Sequence, residues 1–194
     1  NLLTGNSSSS DAMEQELKLL EKDLLASAET LQRARHQIAK ALESEIKTEL
    51  CDLYMDKADF KVTFTKGKFN RDGNEQVEFY ISTNPGESFK PLVKVASGGE
   101  LSRLMLAIKS AFARKEDKTS IVFDEVDTGV SGRVAQAIAQ KIHKIGSHGQ
   151  VLAISHLPQV IAIADYQFFI SKESDNETTV SRVRLLTPEE RVQE

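Results

Sequence analysis

From Asp11 to Met55 the chain contains neither glycine nor proline. Nothing in that stretch breaks a helix, and Leu17, Leu24, Leu31 and Ile38 recur every seventh residue. A second, less apolar seam runs through Leu20, Ser27, Ala34 and Ala41 before the pattern shifts to Leu42, Ile46, Leu50 and Leu53. A seven-residue apolar repeat is the pattern of a coiled coil. At 1.5 Å per residue, a helix of about 45 residues is roughly 65 Å long. That exceeds the diameter of a domain of this size. The stretch 11–56 therefore reads as a coiled-coil arm, the alternative being a long amphipathic helix lying on its own domain; it is started by an Asp11–Glu14 capping box and preceded by a polar, Ser-rich lead-in over 1–10. Its natural neighbour is an antiparallel helix, and the sequence contains no second such stretch.

Beyond the arm, 59–65 and 76–83 alternate apolar and polar residues around a turn-rich "KGKFNRDGNE", as a β-hairpin does. Residues 97–114 and 132–145 carry one-sided apolar faces at helical spacing, and 119–123 and 150–156 are short apolar strands. A short helix over 157–164 follows, then a last hairpin around "ESDNE" with Phe168 and Phe169 expected in the sheet core. Strands alternating with helices imply an α/β fold built on a parallel sheet, with the hairpins as additions. Thr187-Pro188-Glu189-Glu190 reads as a helix start, with a Thr cap, Pro first and Glu third. The ragged ends suggest a piece of something longer.

Composition excludes little. The formal net charge is −4, and 28% of the residues are charged. Nucleic-acid binding would therefore have to rest on a local patch. The single cysteine, Cys51, permits no intrachain disulfide and fits a reducing compartment. No run approaches the ~18 apolar residues of a membrane span.

Three stretches carry chemistry. In "KVASGGELSR", Ser97 and Glu100 make a capping box, but Gly98 and Gly99 sit where glycine costs helix stability. They make sense where an anion must approach the free amides of a helix N-terminus. In "TSIVFDEVDTGVSG" an apolar strand ends in Asp124 and Glu125, with Asp127 following. Carboxylates there point into the ligand crevice of a parallel sheet. Asp124 suits Mg²⁺ beside a nucleotide, and Glu125 suits the orientation or deprotonation of an attacking water. In "QVLAISH" a second strand ends in Ser155-His156, where a neutral imidazole could reach a terminal phosphate.

Taken in order, these elements resemble the C-terminal half of an ABC-type ATPase head. Ser97-Gly98-Gly99-Glu100 corresponds to the signature motif, Asp124-Glu125 to the Walker B pair, Val126 to Ser131 to the D-loop and His156 to the switch histidine. The long helix leading through a hairpin into the signature is similar to the SMC-like branch. "ISTNPGE", "KVASGGELSR", "FDEVDTGVSGRVA", "SHLPQV" and "TPEERVQE" look closely like the RecN family of bacterial DNA-repair ATPases. The resemblance covers the lobe, 57–194, and the arm before it. It implies ATP hydrolysis with Mg²⁺ in double-strand-break repair and recombination, in the cytoplasm at the nucleoid. It also implies DNA, a second copy through the heads, the N-terminal lobe of the same head and further repair proteins as partners, with no membrane. Asp124 would hold Mg²⁺, Glu125 would be the general base and His156 would contact the γ-phosphate. Ser97, Gly98 and Gly99, with Glu100 in the same motif, would bind ATP held by the partner head. Asp127 would link the two sites across the dimer.

One departure is large. No G-x-x-x-x-G-K-[ST] phosphate loop occurs, and Gly67-Lys68 lies in a hairpin turn without the earlier glycine. In the family that loop precedes the coiled coil, so the chain is expected to be half a head, inactive alone. Other readings are an SMC- or RecF-like ATPase fragment, or a coiled-coil dimerisation module with an inert acidic turn. Lys66, Lys68 and Arg71 form a small basic cluster, more simply a solvated turn than a DNA contact. Arg103 suits either the dimer interface or a salt bridge. His36, His143 and His148 lack metal-ligand companions in the sequence and read as surface or structural.

Overall fold

The structure, a computed structural model, describes residues 4–95, 98–113, 120–124, 126–127, 129–174 and 178–192. They form two compact units, 1–45 with 59–94 and 46–58 with 95–194.

The first unit is most of a helix and a three-stranded antiparallel sheet. Helix α1 runs Thr4–Asp52 and contributes its last residues to the second unit. It starts ahead of Asp11, so the lead-in expected over 1–10 is helical from Thr4 and the Asp11–Glu14 pair lies inside the helix. Extending a formed helix by one residue adds one hydrogen bond per residue fixed, so a serine run with no breaker does not stop it. Strands β1 (Asp59–Asn70) and β2 (Gly73–Ser82) pair from Asp59↔Ser82 onward, and β3 (Lys90–Pro91) adds to β2. The strands extend through most of the expected turn, leaving Arg71-Asp72 at the tip. There Asp72 N–H donates to Asn70 Oδ1 at 2.7 Å, and Gly73 takes φ 100°.

The helix is fastened to this hairpin by polar side chains. Gln32 Nε2 donates to Asn74 Oδ1 at 2.8 Å, Val62 N–H donates to Glu43 Oε1 at 2.7 Å, and His36 stacks on Phe64 with ring centroids 3.9 Å apart. By contrast the heptad positions Leu17, Leu24 and Ile38 are about half exposed or more.

The second unit holds α2 (Gly98–Ala113), β4 (Ser120–Asp124), α3 (Gly132–Gly146), β5 (Gln150–Ile154), α4 (Pro158–Ala162), β6 (Phe168–Ser174) and β7 (Thr179–Leu185). The pair β4–β5 is parallel, and β6–β7 is an antiparallel hairpin. Leu104, Leu106, Ala107 and Ala111 of α2, Ile121 and Phe123 of β4, and Ala135, Ile138 and Ile142 of α3 make the core. Ile46, Leu50 and Leu53 are fully buried as well. There α1 ends in a Schellman turn: Met55 N–H donates to Leu50 O and Tyr54 N–H to Cys51 O, with Tyr54 at φ 58°. Buried Leu50 and Met55 supply the apolar contact this motif favours.

Two sheet faces stay open. Val122, Leu152 and Ile154 on β4–β5, and Phe168, Ile170, Val183 and Leu185 on β6–β7, are all 47% exposed or more. Phe168, expected in the sheet core, is therefore at the surface, because β6–β7 is a two-stranded sheet with one bare apolar face. The final Thr187–Glu190 capping box forms in both directions, with Thr187 N–H donating to Glu190 Oε2 and Glu190 N–H to Thr187 Oγ1. It opens a 3-10 turn over Glu190–Val192 rather than the expected α-helix. No described helix is long and apolar enough to cross a membrane.

Candidate nucleotide site

The register of the parallel pair sets this site. Asp124, the last residue of β4, lies opposite Ile154, the last residue of β5. The two strands thus release their chains at the same edge, and the loops that follow meet there. A parallel pair must do this, since both carboxyl ends share one side of the sheet. Asp127 after β4 and Ser155-His156 after β5 therefore come together although about 28 residues separate them.

Asp124 is exposed at the strand end. Asp127 is the reverse, only 1% exposed. A buried carboxylate needs hydrogen bonds to offset its desolvation. Ser155 Oγ supplies one, donating to Asp127 Oδ2. The same Ser155 Oγ accepts from Leu157 N–H at 3.1 Å. His156 Nδ1 stands 3.9 Å from Asp127 Oδ2, while its side chain is 79% exposed. Asp127 Oδ1 is buried without a hydrogen-bond partner among the described residues. Val130 N–H donates to Asp127 O at 3.3 Å, closing the turn that leads to α3. Gly129 at φ 71° and Gly132 at φ 56° give that turn its path. Among the described residues space is not what selects glycine there, since a Cβ at either would meet none of them within 4 Å.

Helix α2 begins at Gly98, with Gly99 and Glu100 in its first turn, so both glycines lie at a helix N-terminus as the sequence predicts. Arg103, one turn on, donates from Nε to Gly99 O at 3.4 Å. Ser97 and Glu125 lie outside the described residues. Of the expected residues, the structure joins Asp127 to His156 through Ser155 and brings Asp124 to the same sheet edge. Sequence reading missed Ser155 as a working part. Its one signal was a hydroxyl directly before the histidine at a strand end.

Among the described residues no group of three or more His, Cys, Asp or Glu is gathered to hold a metal ion. Mg²⁺ does not require one, because it is commonly held by one or two carboxylates with waters and substrate phosphates. The exposed Asp124 carboxylate at the crevice edge fits that donor set.

No protein-family profile matches the chain. The DNA repair protein RecN of Halalkalibacterium halodurans is 51% identical over 187 residues, which is 94% of this chain and 33% of that protein. The chain thus spans about a third of that relative's length. Among solved structures, the Smc head domain with a coiled coil and joint from Pyrococcus yayanosii superposes with a TM-score of 0.61 at 20% identity, covering 84% of this chain and 30% of that one. A head from work on ATP-driven dimerization and DNA-stimulated activation of SMC ATPases superposes at 0.53 and 18% identity, covering 83% and 92%. These likenesses give the fold as that of an SMC-type head.

Proposed function

The chain belongs to the RecN family, of whose members it spans about a third, and we propose that it is the C-terminal lobe of an SMC-like ATPase head acting in DNA double-strand-break repair and recombination. The observation that carries this reading is the Asp124↔Ile154 register, which gathers Asp124, Asp127, Ser155 and His156 at one sheet edge.

In this reading ATP lies between two heads. Asp124 holds Mg²⁺, which when bound neutralises charge on the terminal phosphates. Glu125 takes the proton of the attacking water, and His156 donates to the γ-phosphate. The amides of Gly98 and Gly99 at the start of α2, with Ser97, bind the γ-phosphate of the nucleotide on the second head, and Glu100 belongs to the same motif. Asp127 belongs to the loop that faces that head. The phosphate loop that this sequence lacks comes from the N-terminal lobe. The open apolar faces on β4–β5 and β6–β7 support such a lobe, since patches of this kind mark docking surfaces. The exposed heptad leucines of α1 support an antiparallel coiled-coil partner in the same way. Identity of 51% to a RecN against 20% to an Smc head favours the RecN branch over the SMC one. DNA, further repair proteins and a place in the cytoplasm at the nucleoid belong to the same proposal.

Calorimetric titration with Mg·ATP tests it. The chain alone should give no heat of binding, and the chain joined to a RecN N-terminal lobe should bind. Equal binding by the chain alone would contradict the half-site reading.

A further inference from the structure

Asp127 lies three residues beyond the end of β4. Its carboxylate is buried, receives the Ser155 hydroxyl at Oδ2, and stands 3.9 Å from His156 Nδ1. Ser155 in turn receives the Leu157 amide. Ser155 is thus pinned on both sides: its hydroxyl hydrogen goes to Asp127 and its oxygen takes the Leu157 N–H. His156 sits between those two residues in the chain. The hydrogen bond from Leu157 N–H to Ser155 Oγ spans its backbone, while its imidazole stays 79% exposed at the crevice. A catalytic group gains most from being held in one place before the reaction begins. A buried acid hydrogen-bonded to the residue just before the histidine is well suited to hold it.

We infer that Asp127 is a positioning residue for His156, acting through the Ser155 hydroxyl, so that the loop after β4 sets the histidine at the end of β5. The inference deepens the ATPase reading and rests on it. It adds to the link across the dimer a tie within one head: movement of the loop between Asp124 and α3 would be felt at His156. Asp127→Asn keeps an acceptor for Ser155 and should retain most of the effect. Asp127→Ala and Ser155→Ala remove it.

Two measurements decide. The first is amide hydrogen exchange in this chain. Loss of one hydrogen bond should speed exchange at Leu157 by about fivefold in Ser155→Ala and Asp127→Ala, and much less in Asp127→Asn. Amides in the centres of α2 and α3 should stay unchanged; a merely structural role would move them too. The second is ATP turnover by the chain joined to its N-terminal lobe. Ser155→Ala should lower kcat about tenfold or more with little change in KM. In a His156→Ala background it should cost nothing further. Losses that multiply in the double variant would overturn the inference. If Asp127→Ala fails to fold, Ser155→Ala carries both measurements. A wild-type combination without turnover would overturn the ATPase reading instead. The exchange at Leu157 would then decide the tie by itself, and unchanged protection would overturn it.

Discussion

Lys141 Nζ lies 2.5 Å from Glu49 Oε2, and both side chains are more than nine-tenths buried. Asp52 Oδ2 adds a second, more exposed partner at 2.6 Å. The pair joins the last turns of α1 to the middle of α3, the helix that follows the Asp127 loop. Deleting one partner of a buried pair leaves the other charge uncompensated, which costs about 3–5 kcal/mol. Lys141→Met should lower stability by that amount in urea unfolding. Changing Glu49 to Leu as well should restore part of it. A loss under about 1 kcal/mol in the single variant would mean that water already solvates the pair.

Tyr54 closes α1 in the left-handed region at φ 58°, and its side chain is 52% exposed. A side chain there costs roughly 1–2 kcal/mol, and glycine avoids that cost at some expense in chain entropy. Tyr54→Gly is expected to stabilise the chain by about 0.5–1 kcal/mol and raise Tm. A fall in Tm would show that the exposed ring contributes packing beyond its partial burial.

Gly73 presents the opposite case. At φ 100° an added Cβ would stand 2.9 Å from Leu31 Cδ2 and 3.4 Å from Arg35 Nη1. Leu31 can turn aside, but the backbone strain stays. Gly73→Ala should cost about 1–3 kcal/mol. The loss should appear first as faster amide exchange in β1 and β2, with the second unit unaffected.

Glu190 gives a pH dependence with a definite sign. The Thr187 amide donates to its carboxylate, and Arg184 Nη1 pairs with it at 2.6 Å, so its pKa lies below the ordinary glutamate value. A lowered folded pKa stabilises above the unfolded value, about 4.3, and the stabilisation fades as pH falls through the lower folded value. NMR titration of the 3-10 turn should show the cap opening on that acid limb. Glu190→Gln should flatten the response below pH about 4.3.

Periodicity and the breaker-free run made α1 legible, and apolar runs ending in acid or histidine made β4 and β5 legible. Gly98 and Gly99 were visible because they stand where a helix tolerates them poorly. What could not be read were pairings between distant residues. An acid in a loop is ordinarily solvated, so nothing in the sequence marked Asp127 as buried, or Ser155, 28 positions on, as its donor. The same distance hid Lys141 from Glu49 and His36 from Phe64. Phe168 was misread because an alternating strand implies a covered face, and β6–β7 has a bare one. The helix began earlier than its capping box because elongation needs no cap.

In the proposed function this chain supplies the Walker B pair, switch histidine and signature to a site whose phosphate loop comes from elsewhere. Steady-state ATP turnover tests it most directly, measured on the chain alone, on the chain joined to its N-terminal lobe, and on the joined protein with Glu125→Gln. Turnover in the joined protein alone, abolished by Glu125→Gln with ATP binding kept, is the expected result. Undiminished turnover in Glu125→Gln, or turnover by the chain alone, would contradict it.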